Sequence, residues 1–247
     1  GVQYAFQVEQ DGASFKMVND HQLGEGIPLV GLTWGNDGAL YTVDWGGDYP
    51  LDQIGAIWKL DTPGANQSIR NEVQGIIEEG MAHKSQDQLR ELLAHPDQRI
   101  RLKAQFEMVK REDTNALVED SIHNHQLKRI HAIWGLGQLA RAKNQVAIEQ
   151  LKFLLSDPDP EIQVQSSKML GDLKPGSFDG TLIIPHLAST HPRVLFQAGI
   201  TLGRQQVAEA FEAVVSLIEE NNGEDSYLRH AGIRALEGIG GAESLKQ

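Results

Sequence analysis

The chain has 247 residues, 40% of them hydrophobic and 23% charged, which is enough apolar material to bury a core and too much for disorder. Twenty-two Lys and Arg stand against 34 Asp and Glu, a formal net charge of -12, so the chain as a whole repels phosphate backbones and nucleic acid is not an expected partner. The absence of cysteine excludes disulfides, thiolate metal ligands, covalent haem attachment and cysteine nucleophiles within these residues.

The first residues read as already within a strand, so the expectation is that Gly1 is a cut or processed end. Tyr4–Val8 and Ser14–Val18 flank the turn signal Gln10-Asp11-Gly12. Leu29–Trp34 follows, then the turn Asn36-Asp37-Gly38, Ala39–Trp45, a Gly/Asp/Pro loop, and Gly55–Leu60. Five short strands joined by tight turns predict an antiparallel meander. Its open edges and small core call for neighbouring blades or sheets. Residues 1–62 hold nine Asp and Glu and two Lys, a composition distinct from the rest.

After Asp61-Thr62-Pro63-Gly64 the apolar period changes from 2 to 3.6. Residues 63–82 predict a linker and a helix, and 83–247 predict a helical array. One unit recurs: an apolar helix, a polar turn with His-Pro or Asp-Pro, then a helix centred on a small residue with an apolar residue four later. Its clearest copy is Leu89–Leu93, His95-Pro96-Asp97 and Ile100, Ala104, Met108. The small residue recurs as Ala132, Ser166, Ala198 and Gly232. These near-even spacings predict an α-solenoid of about five helix pairs, with a shortened first interval. No apolar run reaches the roughly 18 residues that span a bilayer, so no membrane insertion is expected of this segment.

Two stretches are similar to one known family. Trp34-Gly35-Asn36-Asp37-Gly38-Ala39-Leu40-Tyr41-Thr42-Val43-Asp44-Trp45 and Gly55–Leu60 resemble a blade of the sorbosone/glucose dehydrogenase-like β-propellers. His95–Phe106 and His131–Arg141 resemble the HEAT segment that follows that propeller in the large membrane-bound dehydrogenase-like proteins of planctomycetes, verrucomicrobia and Bacteroidetes. The resemblance implies a mainly α chain, a HEAT-type α-solenoid preceded by the end of a β-propeller, and export to the periplasm or beyond. It also implies a longer parent with quinone- or haem-linked oxidation of a sugar or alcohol. The quinone-bearing blades and the haem motif of that family have no counterpart here, so no catalytic residue carries over.

Asp37, Asp44, Asp48 and Asp52 gather carboxylates at a strand end and loop, as calcium requires. Asp37 and Asp44 are the candidate ligands, although an aspartate in Asn-Asp-Gly also caps its own turn. Nine histidines raise a metal question, but no His-Glu dipeptide exists, which excludes the paired His-Glu iron site of HEAT-like hydroxylases. His123 and His125 could share a metal only outside a helix. Arg101, Arg129 and Arg229 recur in the second helices of three units. They read as a guanidinium ladder for an acidic partner or, as at this position in HEAT repeats, as partners of loop aspartates such as Asp97 or Asp225. Trp134 and Phe106 are expected in the core, and Trp34, Trp45 and Trp58 in packing of the strands.

The leading expectation is a non-catalytic protein-interaction scaffold, without a cofactor of its own, whose partner is another domain of a parent chain or a protein subunit. The end Gly240-Gly241-Ala242-Glu243 lacks a polar cap and is expected to be covered by further repeats or a partner. The rival is the C-terminal part of a quinone- or haem-c-dependent dehydrogenase. A HEAT-type lyase or DNA-repair module is a third reading; the acidic charge opposes DNA, and no catalytic acid-base pair stands out.

Overall fold

The computed structural model describes residues 2–26, 29–46 and 54–244, with side chains as far as 240. It divides into two compact units, Gly1–Glu9 with Lys16–His83, and Gln10–Phe15 with Lys84–Gln247.

In the first unit β1 (Val2–Asp11) and β2 (Ser14–Glu25) pair as a hairpin, while β3 (Leu29–Trp34), β4 (Leu40–Asp44) and β5 (Ala56–Leu60) form an antiparallel sheet in that order. Thr42 lies opposite Leu32 on one side and Trp58 on the other. The turn into β4 depends on Gly38, whose φ of 74° places it in the left-handed region that side chains avoid. Helix α1 (Gln67–Glu79) completes the unit. Arg70 of this helix donates from Nε to the Asp37 carbonyl at 2.7 Å and pairs with Asp61 at 2.9 Å. The strands cover little of their own apolar surface: Tyr4, Phe6, Val8, Val30, Leu32 and Trp34 are all more than half exposed.

The second unit is an α-solenoid of five helix pairs. They are α2 (Gln86–Leu92) with α3 (Gln98–Lys110), α4 (Thr114–Ser121) with α5 (Gln126–Arg141), and α6 (Gln145–Phe153) with α7 (Pro160–Gly171). A 3-10 helix over Gly180–Ala188 pairs with α8 (Pro192–Gln205), and α9 (Phe211–Asn221) with α10 (Ser226–Ser244). The fourth opening helix is 3-10 because Pro185 sits inside it, denying a donor and crowding the preceding turn. The first interval is short because α4 has only eight residues. The hairpin tip belongs to this unit, where the Ala13 N–H donates to Asp225 Oδ2 at 2.7 Å.

Helix starts follow the capping signals. Ser85 and Gln88 form a reciprocal capping box on α2. Asp97, Asn144 and Asp159 accept from the first-turn N–H groups of α3, α6 and α7, and Pro160 and Pro192 stand at first-turn positions where a missing N–H costs nothing. The second helices touch in succession, α3 to α5, α5 to α7, α7 to α8 and α8 to α10. Ala104, Ala132, Ser166, Ala198 and Gly232 are all buried along this stack. Around them close Ile100, Met108, Leu136, Ile162, Leu170, Val194 and Leu202, a continuous core shared by neighbouring pairs.

Candidate protein-interaction surface

Of the carboxylates proposed for calcium, Asp37 stands in the turn before β4 and Asp44 at the far end of that strand. Asp37 Oδ1 accepts from the Ala39 N–H at 3.1 Å, and Oδ2 accepts from the Tyr41 hydroxyl at 3.0 Å and pairs with Lys59 at 2.8 Å. Lys59, then the Ala39 amide, hold its carboxyl down to about 2. Asp44 is buried and its Oδ2 accepts from Trp58 Nε1, while its Oδ1 has no hydrogen-bond partner among the described residues. Asp48 and Asp52 lie outside the described residues. Among the described residues no group of three or more His, Cys, Asp or Glu could hold a metal ion, so the calcium expectation gains no ligand set there. His123 and His125 lie in the turn before α5; His123 Nδ1 accepts from the His125 N–H, and His125 Nδ1 from the Lys128 N–H.

The three arginines take three different roles. Arg101 is buried and donates from Nη1 to the carbonyls of His95 and Pro96 and from Nε to His131 Nε2 at 3.0 Å. It does not pair with Asp97, which is engaged by Arg99. Arg129 pairs with Asp157 in the following loop and donates to the Ser121 carbonyl at 2.9 Å, as expected for a HEAT arginine bridging repeats. Arg229 is exposed, and Asp225 Oδ1 instead accepts from the Tyr227 and Leu228 N–H groups of α10. The three therefore form no single ladder.

A different polar network links the repeats. Because Arg101 donates to Nε2, His131 is neutral with its proton on Nδ1, which donates to Gln105 Oε1 at 2.9 Å. Burial, and then the adjacent Arg101 charge, push the His131 ring down to about 4. Asp120 is fully buried and takes a bidentate pair from Arg90 and a second ion pair from Lys128 at 3.0 Å. Trp134 Nε1 donates to Gln165 Oε1 at 2.8 Å, Gln165 donates to Glu161, and Arg193 makes a bidentate pair with Glu161. The contacts of His131 with Arg101 and Gln105, of Arg90 with Asp120, of Trp134 with Gln165 and of Arg193 with Glu161 span neighbouring repeats and fix their register, while Lys128 with Asp120 and Gln165 with Glu161 brace them from within a repeat.

Charge is sorted between the two helix layers. The five second helices carry twelve Lys and Arg against four Asp and Glu, whereas the five opening helices carry two against eight. Lys103, Lys110, Arg141, Lys168, Arg204 and Arg234 of the second helices are all exposed. Two positions after each central small residue stand Phe106, Trp134, Lys168, Ile200 and Arg234. A step of two residues turns roughly 200° around a helix, so this row faces away from the buried one. Phe106 is accordingly 52% exposed and Trp134 half-buried, a correction to the expectation that both lie in the core. Trp34 is likewise exposed rather than packed away, and Trp58 is 44% exposed. The second-helix layer thus offers a basic surface with two aromatic rings, on a chain that is acidic overall.

Among the described residues no helix is long and apolar enough to cross a membrane. No family model matches the chain, and no curated protein matches it. Among solved structures it is similar to the complex of CpcE and CpcF of phycocyanin lyase from Nostoc sp. PCC7120, at 18% identity over 66% of this chain and 67% of that one, with a TM-score of 0.49. It is also similar to two engineered proteins. One is 18% identical over 70% of this chain and 82% of its own, the other 19% over 66% and 90%, each with a TM-score of 0.43.

Proposed function

We propose that the chain is a non-catalytic protein-interaction scaffold whose second-helix layer binds an acidic segment of another domain or subunit. The observation that carries this reading is the charge sorting between the two helix layers. A net-acidic chain that concentrates exposed Lys and Arg on one face attracts carboxylates there and repels them elsewhere. Phe106 and Trp134 add apolar contact beside the charges, which favours a polypeptide with mixed acidic and apolar side chains. The buried titratable groups support the same reading, since His131, Asp120 and Arg101 are all committed to contacts between repeats.

The test is fluorescence anisotropy with a labelled peptide of alternating Glu and Leu. Binding is expected to weaken with added salt and to fall in Lys103→Glu and Lys168→Glu, two exposed lysines without an ion pair among the described residues. Salt-independent binding, or unchanged affinity in both variants, refutes the surface.

The second reading concerns the parent protein. The exposed apolar faces of β1 and β3 support a meander that continues into a larger propeller, as in the exported dehydrogenase-like proteins that the sequence resembles. On that reading the solenoid is the interaction part of a quinone- or haem-linked enzyme located in the periplasm. The intact mass of the native protein decides it: a much larger chain with a haem-bearing peptide is expected, and a mass near 27.2 kDa contradicts it.

A further inference from the structure

Helices α8 and α10 approach backbone to backbone. A Cβ on Gly238 would fall 2.2 Å from the Gly203 carbonyl oxygen, and one on Gly203 would fall 2.7 Å from the Arg234 carbonyl oxygen. Side chains must therefore stand at the borders of this seam rather than across it. The result is an open groove of about 400 Å3 whose charged and polar lining is Arg204, His230, Arg234 and Glu237, with Ile200, Gly203 and Gly238 beside them.

Both arginines have a carboxylate partner and stay partly exposed. Arg204 is held by Asp172 and Arg234 by Glu237, while their side chains remain 52% and 56% exposed. A guanidinium has five N–H donors in a fixed fork, so one carboxylate partner leaves an edge free for a second. His230 is exposed on the same groove and supplies a third donor. Within the lining, three groups that can donate to an anion face one carboxylate, Glu237.

We infer that this groove binds one carboxylate side chain of the acidic segment, gripped by Arg204 and Arg234 and contacted by His230. It is the anchor of the interaction proposed above and rests on that reading. The row of Phe106, Trp134, Lys168, Ile200 and Arg234 leads from the first repeat to this groove, so an extended segment lying along the row would end in it.

The experiment uses the full chain and the labelled Glu–Leu peptide. Arg204→Gln and Arg234→Gln are each expected to lower affinity about tenfold, the effect of losing one charge-assisted hydrogen bond. Glu237→Gln removes the competing carboxylate and is expected to bind several-fold more tightly, an outcome that misfolding cannot mimic. The His230 ring resonances are expected to shift with the same midpoint as the anisotropy. If the peptide binds and responds to Lys103→Glu while Arg204→Gln, Arg234→Gln and Glu237→Gln leave affinity unchanged, the groove is refuted and the wider surface stands. If the peptide does not bind at all, both are refuted. Tighter capture of a single-stranded oligonucleotide than of the peptide, lost in the same arginine variants, makes the groove a phosphate site and overturns the carboxylate assignment.

Discussion

The solenoid should lose stability on mild acidification, and the His131 ring should account for a separable share of that loss. His131 is 2% exposed, its Nε2 accepts from the permanently charged Arg101, and its Nδ1–H donates to Gln105. The ring accepts a proton at an ordinary 6.5 in the unfolded chain but only at about 4 when folded. Its contribution to stability is therefore complete above pH 6.5 and shrinks as pH falls, because the unfolded state binds the proton first. Linkage between those two values gives a loss of about 2 kcal/mol by pH 5 and about 3 kcal/mol by pH 4, after which the ring titrates in both states and the loss levels off. His131→Gln keeps an acceptor for Arg101 and removes the titration. Urea unfolding followed by helix circular dichroism at pH 7 and pH 5 measures the difference. The variant is expected to be less stable at pH 7, yet to lose about 2 kcal/mol less than the wild type between the two pH values. Equal losses in both proteins, or a His131 ring that titrates near 6.5 by NMR, would refute the reasoning.

Two further substitutions probe the seams between repeats. Asp120→Ala leaves the Arg90 and Lys128 cations without their buried counter-ion and should cost about 3 kcal/mol in urea unfolding, more than an alanine replacement at the exposed Glu119. Ser166→Ala should be neutral or stabilising by up to about 1 kcal/mol in thermal melts, because its buried hydroxyl has no hydrogen-bond partner among the described residues and the position selects for size alone. A clear destabilisation in that variant would show that the hydroxyl matters to the repeat seam.

The repeat architecture was legible because it rests on periodic, local signals. A small residue at 104, 132, 166, 198 and 232 marks where second helices meet, and all five are buried. The strand and turn signals around Asp11-Gly12 and Asp37-Gly38 likewise fall where the chain reverses. What the sequence left open was the destination of each charged side chain. Arg101, Arg129 and Arg229 occupy similar places in their helices, but one is buried against carbonyls and a histidine, one bridges repeats and one faces water. The partners that Arg101 and Arg129 find in the next repeat, His131 and Asp157, lie 30 and 28 residues away, and which atom meets which guanidinium depends on the pitch of the stack. The interaction surface was hidden for a related reason. The net charge of -12 averages over opposed layers, and the basic and acidic helices alternate along the chain. Counting charge helix by helix would have revealed the asymmetry. The groove between α8 and α10 would still have escaped, since it depends on how closely Gly203 and Gly238 allow the two backbones to approach.

The most direct test of the scaffold reading is to map where an acidic segment binds. A Glu–Leu peptide carrying a photo-crosslinking group would be irradiated with the full chain, and the adducts located by mass spectrometry. The account predicts adducts within α3, α5, α7, α8 and α10, concentrated around Phe106, Trp134 and the groove between α8 and α10, and suppressed by salt. Adducts confined to α2, α4, α6 and α9, or absent altogether, would contradict it.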